Sequence, residues 1–235
     1  MRRPFLFLIS ALFIGLVYYS STQAAQDEEV LAMVENIKWL GHDTFRIEAP
    51  GLTIYIDPWN IKHPTPADII FITHDHYDHC SPADVKKLLK SDTIIVAPAD
   101  CARKFKTETK VVKPNEKLNV KGIDIETVPA YNTNKPFHPK SNGWVGYIIK
   151  AGNVRIYHAG DTDYIPEMND IKTDIALLPV SGTYVMTASE AASAANVIKP
   201  RIAIPMHYGA IVGDEQDAQE FKKLCAQEVR ILKEE

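Results

Sequence analysis

The chain has 235 residues, of which 46% are hydrophobic and 24% charged, and its formal net charge is −4. That is ordinary globular composition on a chain long enough to bury a core, and the acidic balance argues against nucleic acid or an anionic membrane as the main partner, because both demand a basic footprint. Three cysteines, Cys80, Cys101 and Cys225, are too few and too widely spaced for a disulfide framework, and no C-x-x-C pair is present.

Arg2 and Arg3 precede an apolar run from Phe5 to Tyr19, and a small, polar segment ending in Ala24 and Ala25 follows. That order predicts a signal peptide over residues 1–25, and so an exported protein, periplasmic or secreted, with one domain over 26–235. The alternative is a retained anchor, but the apolar run is about 15 residues, short of the roughly 20 that a spanning helix needs. Cleavage would remove two basic residues and no acidic one, leaving the chain more acidic still.

Strand signals are short and numerous. Leu52–Ile56 is rich in β-formers and ends at Asp57-Pro58, and Asp68–Thr73 carries the continuous apolar run Ile69–Ile72. Thr93–Ala97, Ile123–Val128, Trp144–Lys150, Val154–Tyr157, Ile175–Leu178 and Ile202–Ile204 read the same way. Ala151-Gly152-Asn153 suits a hairpin turn. Ser81-Pro82-Ala83-Asp84 offers an N-cap, an N1 proline and an acid for a helix to about Lys90. Thr187–Glu190 forms a capping box ahead of a helix that Pro200 ends. Asp214 to about Gln227 reads as a third helix, with Phe221, Leu224 and Cys225 on one face. These signals define a mixed α/β domain without repeats or linkers.

Chemistry concentrates directly after the strand Ile69–Ile72. His74-Asp75-His76-Tyr77-Asp78-His79 places three of the chain's eight histidines and two carboxylates in six positions, between that strand and the Ser81 cap. Imidazole and carboxylate are the ordinary ligands of catalytic zinc. His74 and His76, two apart, can converge on one ion, while Asp78 and His79 point to a second.

The H-x-H-x-D-H string resembles the metallo-β-lactamase superfamily, and other pieces follow in that family's order. Asp57 closes an early strand, Gly160-Asp161-Thr162 follows Val154–Tyr157, and His207 follows Ile202–Ile204. Gly41-His42-Asp43, Tyr157–Thr162 and Pro205–Tyr208 look closest to the branch that contains ascorbate-6-phosphate lactonase. The resemblance implies a four-layer αββα sandwich with the cluster at one edge. It implies that His74 and His76 bind a first metal, that Asp78, His79 and His207 bind a second, and that Asp161 bridges them. Asp57 would fix ligands by hydrogen bonds. The family's third histidine for the first metal is missing after the strand Ile123–Val128, where the sequence reads Pro129-Ala130-Tyr131-Asn132; a folded-back loop delivering His138, or Asn132 or water, would fill the place. His42 reads equally as a site-lining or a structural residue, His158 as a loop-orienting one and His63 as solvated.

The expected activity is hydrolysis of an ester, lactone or phosphodiester bond of a small-molecule substrate, with one or two zinc ions and Asp78 orienting the nucleophile. Manganese or iron suits the same ligands, which leaves an iron-dependent oxidoreductase and a non-catalytic binding module as alternatives. Lys135, Lys140 and Arg155 are candidates for holding an anionic group near the mouth, although lysines on loops are usually only solvated. No Gly-rich phosphate loop is present, which excludes nucleotide-driven chemistry.

Overall fold

The computed structural model describes residues 23–235; all but the last three residues of the expected leader lie outside them. Helix α1 (23–35) was not expected from the sequence. It buries Val30, Met33 and Val34, a helical i, i+3, i+4 stripe, and leaves the rest to solvent. Among the described residues, no helix is long and apolar enough to cross a membrane.

Two mixed sheets carry the domain. The first runs β1 (Ile37–Trp39), β2 (Phe45–Ala49), β3 (Leu52–Ile56), β4 (Ile69–Phe71), β5 (Ile94–Pro98) and β6 (Thr109–Val112), in spatial order 1-2-3-4-5-6. Its β1–β3 pairs are antiparallel and its β3–β6 pairs parallel. The second holds β7 (Lys117–Val120), β8 (Ile123–Pro129), β9 (Val145–Ala151), β10 (Val154–His158), β11 (Ile175–Pro179), β12 (Ile202–Met206) and β13 (Glu228–Val229), in spatial order 13-12-11-10-9-8-7. Here β7–β10 pair antiparallel and β10–β13 parallel, so the two sheets share one wiring scheme.

Side-chain alternation makes the layers. Ile54, Ile56, Ile69, Phe71 and Val96 join the core between the sheets, while Tyr55, Ile70, Ile72, Ile95 and Ala97 pack outward under α2 (Pro82–Leu88) and α3 (Ala99–Ala102). On the far side α4 (Ala188–Ile198) and α5 (Glu215–Leu224) cover the second sheet, completing the αββα sandwich. Tyr147 on β9 ties the sheets together, its hydroxyl donating to the Ile72 carbonyl at 2.7 Å.

The helix caps follow the sequence. The Ser81 hydroxyl accepts from the Asp84 N–H, and Thr187–Glu190 closes a reciprocal capping box. Helix α4 stops at Lys199 in a left-handed cap just before Pro200. Helix α5 is shorter than expected: Leu224 is 41% exposed, and Cys225 is an extended C-cap rather than part of the buried face. The chain straightens there to reach β13.

What positions the site is the direction of the parallel strands. β3, β4, β10, β11 and β12 all hand their loops to one edge, where the carboxyl ends of parallel strands deliver functional residues.

Candidate metal centre

Each polar residue of the cluster arrives at the end of a strand. Asp57 follows β3, His74 to His79 follow β4, and Asn132 and His138 follow β8. Asp161 follows β10 and His207 follows β12. Three of the non-glycine residues with positive φ sit here: His42 (52°), Asp57 (45°) and His207 (60°). Strained backbone gathered at one place marks a site where side-chain aim outweighs local comfort.

Two groups of ligand atoms form, and Asp161 faces both. His74, His76, His138 and Asp161 gather their ligand atoms within 4.8 Å of one another; so do His42, Asp43, His79 and His207. From Asp161, Oδ2 lies 3.1 Å from His138 Nε2, 3.2 Å from His207 Nε2 and 3.7 Å from His74 Nε2, and Oδ1 lies 3.5 Å from His79 Nε2. His138 is therefore brought to the place where the sequence lacked a histidine. The loop folds back on Asn132, whose N–H donates to the His138 carbonyl and whose Oδ1 accepts from the His138 N–H.

The outward faces of four histidines are held in one pattern. Thr73 donates its hydroxyl proton to Asp57, so towards His74 Nδ1, 2.9 Å away, it can only accept. Asp57 accepts from His79 Nδ1 at 2.8 Å and Asn132 Oδ1 from His138 Nδ1 at 3.0 Å. The Ser181 hydroxyl meets His207 Nδ1 at 2.8 Å. The first three contacts place a proton on Nδ1, the Ser181 hydroxyl holds the His207 ring as either donor or acceptor, and all four rings turn Nε2 towards Asp161. Such outer partners are what orient metal-ligating imidazoles.

Electrostatics agree with that aim. Burial pushes the His74 and His76 rings down, which favours their neutral forms, and His74 Nε2 lies 3.1 Å from His76 Nδ1. Burial works against the Asp161 carboxylate, but His207, His79 and His74 hold it well below the usual range. Burial also opposes charge on His207, yet Asp161 and Asp43 outweigh it and push the ring up to about 9. For Asp43, burial wins and its carboxyl is raised.

The donor set fits divalent cations. His79 Nε2, Asp161 Oδ1 and both carboxylate oxygens of Asp43 are buried without a hydrogen-bond partner. Unpaired buried polar atoms cost on the order of 1–3 kcal/mol each, and imidazoles and carboxylates gathered this closely suit hard or borderline cations.

Other residues divide between the site and its surroundings. Asp78 meets His42 Nε2 at 3.1 Å and His79 Nε2 only at 3.9 Å, so it stands at the rim of the second group. His42 is fully buried beside it, and its carbonyl accepts from the His207 N–H. Asp43, to which the sequence assigns no role beyond its place in Gly41-His42-Asp43, joins this second group. His158 supports the Asp161 loop, with Nε2 on the Asp43 carbonyl and Nδ1 accepting from Gly160 N–H. His63 is exposed. The three cations proposed for an anionic group are engaged elsewhere: Lys135 with Asp163, Lys140 with Glu167, and Arg155 with Glu126. A third cluster, Asp75, Cys80 and Cys101, lies behind the loop with Lys104 paired to Asp75.

The cluster opens on a cleft of about 230 Å³, with His76, Asp78, His138, Asp161 and His207 at its floor. Two facing sheets with a His/Asp cluster at one edge define the β-lactamase superfamily, and the chain belongs to that family: the Beta-lactamase superfamily domain matches residues 36–207. A UPF0173 metal-dependent hydrolase from Staphylothermus marinus is 37% identical over 80% of this chain and 90% of its own length. Among solved structures, a protein described as a metal-dependent hydrolase from Parabacteroides distasonis superposes with a TM-score of 0.76 at 37% identity, covering 84% of this chain and 93% of its own. Igni18, a metallo hydrolase from Ignicoccus hospitalis, follows with a TM-score of 0.68 at 25% identity, covering 84% and 94%.

Proposed function

We propose that this chain is an exported, metal-dependent hydrolase acting on an ester, lactone or phosphodiester bond of a small substrate. His74, His76, His138 and Asp161 would hold one divalent cation, and Asp161, His79 and His207, with Asp78 or Asp43, a second. The observation that carries the reading is the convergence of four histidines, each held at Nδ1 and turned by Nε2 towards Asp161. Export is supported by the charged and apolar order of residues 2–25. The hydrolase names of the relatives above support the same class.

Cations at these positions would polarise a substrate oxygen and bring the pKa of water toward about 7. The chain's own residues do the rest. Asp78 stays ionised because, although burial opposes charge, its bond to His42 and the nearness of His79 hold its carboxyl down. It lines the cleft, where its carboxylate can orient the attacking water and take its proton. His42 fixes that carboxylate from behind. Asp57, Thr73, Asn132 and Ser181 keep the imidazoles from turning, so little reorganisation is needed during reaction.

The test is a panel of esters, lactones and phosphodiesters assayed with protein that has been stripped by chelator and then reloaded with zinc, manganese or iron. Turnover that vanishes with chelator and returns with metal supports the reading. Stoichiometric metal binding with no turnover of any panel member would leave a binding module instead.

A further inference from the structure

The apolar groups around the cleft carry information that the cluster does not. Six large hydrophobic side chains are conspicuously exposed among the described residues, and three of them, Tyr77, Phe137 and Ile211, line this one mouth. Isolated surface hydrophobics need no explanation, whereas three converging on one concave site mark a ligand surface. Two of the walls are aromatic pairs. On one side Phe137 packs edge-on against Tyr184, with ring centroids 4.7 Å apart; on the other Tyr77 stands edge-on to Trp59 at 6.4 Å. Both pairs are tied to the cluster itself. Tyr77 lies between His76 and Asp78, Phe137 precedes His138, and the Tyr184 carbonyl accepts from Asn132 Nδ2.

The charges around the mouth point the same way. No lysine or arginine lines the cleft among the described residues. Lys135, on the same loop as Phe137, is held at 2.5 Å by Asp163, a buried carboxylate that also accepts from Asn132 and from the Thr133 N–H. Moving Lys135 to a substrate would strip that carboxylate of its counter-charge, which is costly in a buried place.

Resting on the hydrolase reading, we propose that the mouth selects uncharged substrates that carry an aromatic or other bulky apolar group beside the scissile carbonyl. Phe137, Tyr184 and Ile211 grip that group, and Tyr77 closes the opposite side. Substrates bearing a phosphate or a second carboxylate there are disfavoured, because no side chain is free to meet the charge.

Two readouts separate this inference from the reading beneath it. The first is kinetic: metal-loaded protein is assayed on matched neutral phenylacetate and acetate esters and on a phosphorylated counterpart. The phenylacetate ester is expected to exceed the acetate ester in kcat/KM by about ten-fold or more, with the phosphorylated compound slowest. In Phe137→Ala and, separately, in Ile211→Ala that preference should collapse toward about two-fold, chiefly through KM. The second readout needs no turnover: the dissociation constants of phenylacetamide and acetamide are measured by ligand-observed NMR, where the same preference and the same loss are expected. Discrimination between the amides without turnover of these esters or of any ester, lactone or phosphodiester in the wider panel supports the selectivity and sinks the hydrolase reading. Hydrolysis that favours the phosphorylated compound, or a preference unchanged in both variants, overturns the inference and leaves the hydrolase reading standing.

Discussion

Replacing Asp57 with asparagine keeps the size of the side chain and the backbone geometry, because asparagine tolerates the left-handed φ of 45° found here. What changes is the pattern of donors and acceptors. Asp57 is fully buried; one oxygen accepts from the Thr73 N–H at 2.7 Å, and the other accepts from the Thr73 hydroxyl and from His79 Nδ1 at 2.8 Å. An amide has only one oxygen, so its NH2 must face at least one of these donors. Removing one partner of a buried charged pair costs about 3–5 kcal/mol; taking the low end because the shape is kept, the melting temperature of the metal-free protein should drop by roughly 6–12 °C. With His79 no longer held in its tautomer, metal affinity should fall by about 10–100-fold. Calorimetric melting of metal-free protein and competition with a chromophoric chelator read the two effects separately. An Asp57→Asn protein that melts with wild type and binds metal within about two-fold of it would refute the claim that Asp57 aims His79.

Asp78→Asn should lower kcat by about 10²–10⁴-fold with little change in folding, measured by steady-state kinetics and urea unfolding. Asn132→Ala should weaken the metal site through His138, again by about 10–100-fold in a chelator competition, while Asn132→Asp retains an oxygen for the His138 ring and recovers part of the loss. For pH, the sign follows from His207, raised to about 9 against an ordinary value of 6.5. In the metal-free protein its contribution to stability is full below about 6.5 and is lost as pH rises through about 9, which urea titrations across that window would follow. The proton held on that ring must leave when a cation binds, so metal affinity should rise with pH up to about 9, and calorimetry in buffers of different ionisation enthalpy should register its release. Gly146→Ala should destabilise by about 1–3 kcal/mol, because a Cβ there would lie 2.7 Å from the His158 and Ala159 carbonyl oxygens of the neighbouring strand.

Much of the centre was legible because its residues sit where strong patterns stop. The apolar run Ile69–Ile72 announces β4, and the Ser81 cap announces α2, so His74 to His79 could only be the loop between them. Asp57, Asp161 and His207 each lie just past a β-rich run, but it was the resemblance to the family that singled them out. Asp43 was not legible, because β1 is three residues long and alternation needs more than that to show. His138 lies nine residues past the end of β8, and its position depends on the Asn132 contacts, which no periodicity encodes. Helix α1 escaped notice because its apolar face is only three residues deep in an acidic stretch. The edge strands β6, β7 and β13 are short and largely exposed, so their pairing is decided by neighbours rather than by composition. Leu224 failed as a core residue because the helix ends under it.

The central claim is that distant loops aim their imidazoles at Asp161 to hold cations. Anomalous scattering from crystals of protein reloaded with zinc tests it directly. The account predicts one or two peaks beside Asp161, with His74, His76 and His138 Nε2 or Nδ1 at about 2.0–2.1 Å from one and His79 and His207 Nε2 at that distance from the other. Peaks confined to the Asp75, Cys80 and Cys101 cluster, or none at Asp161 in protein that binds zinc in solution, would contradict it.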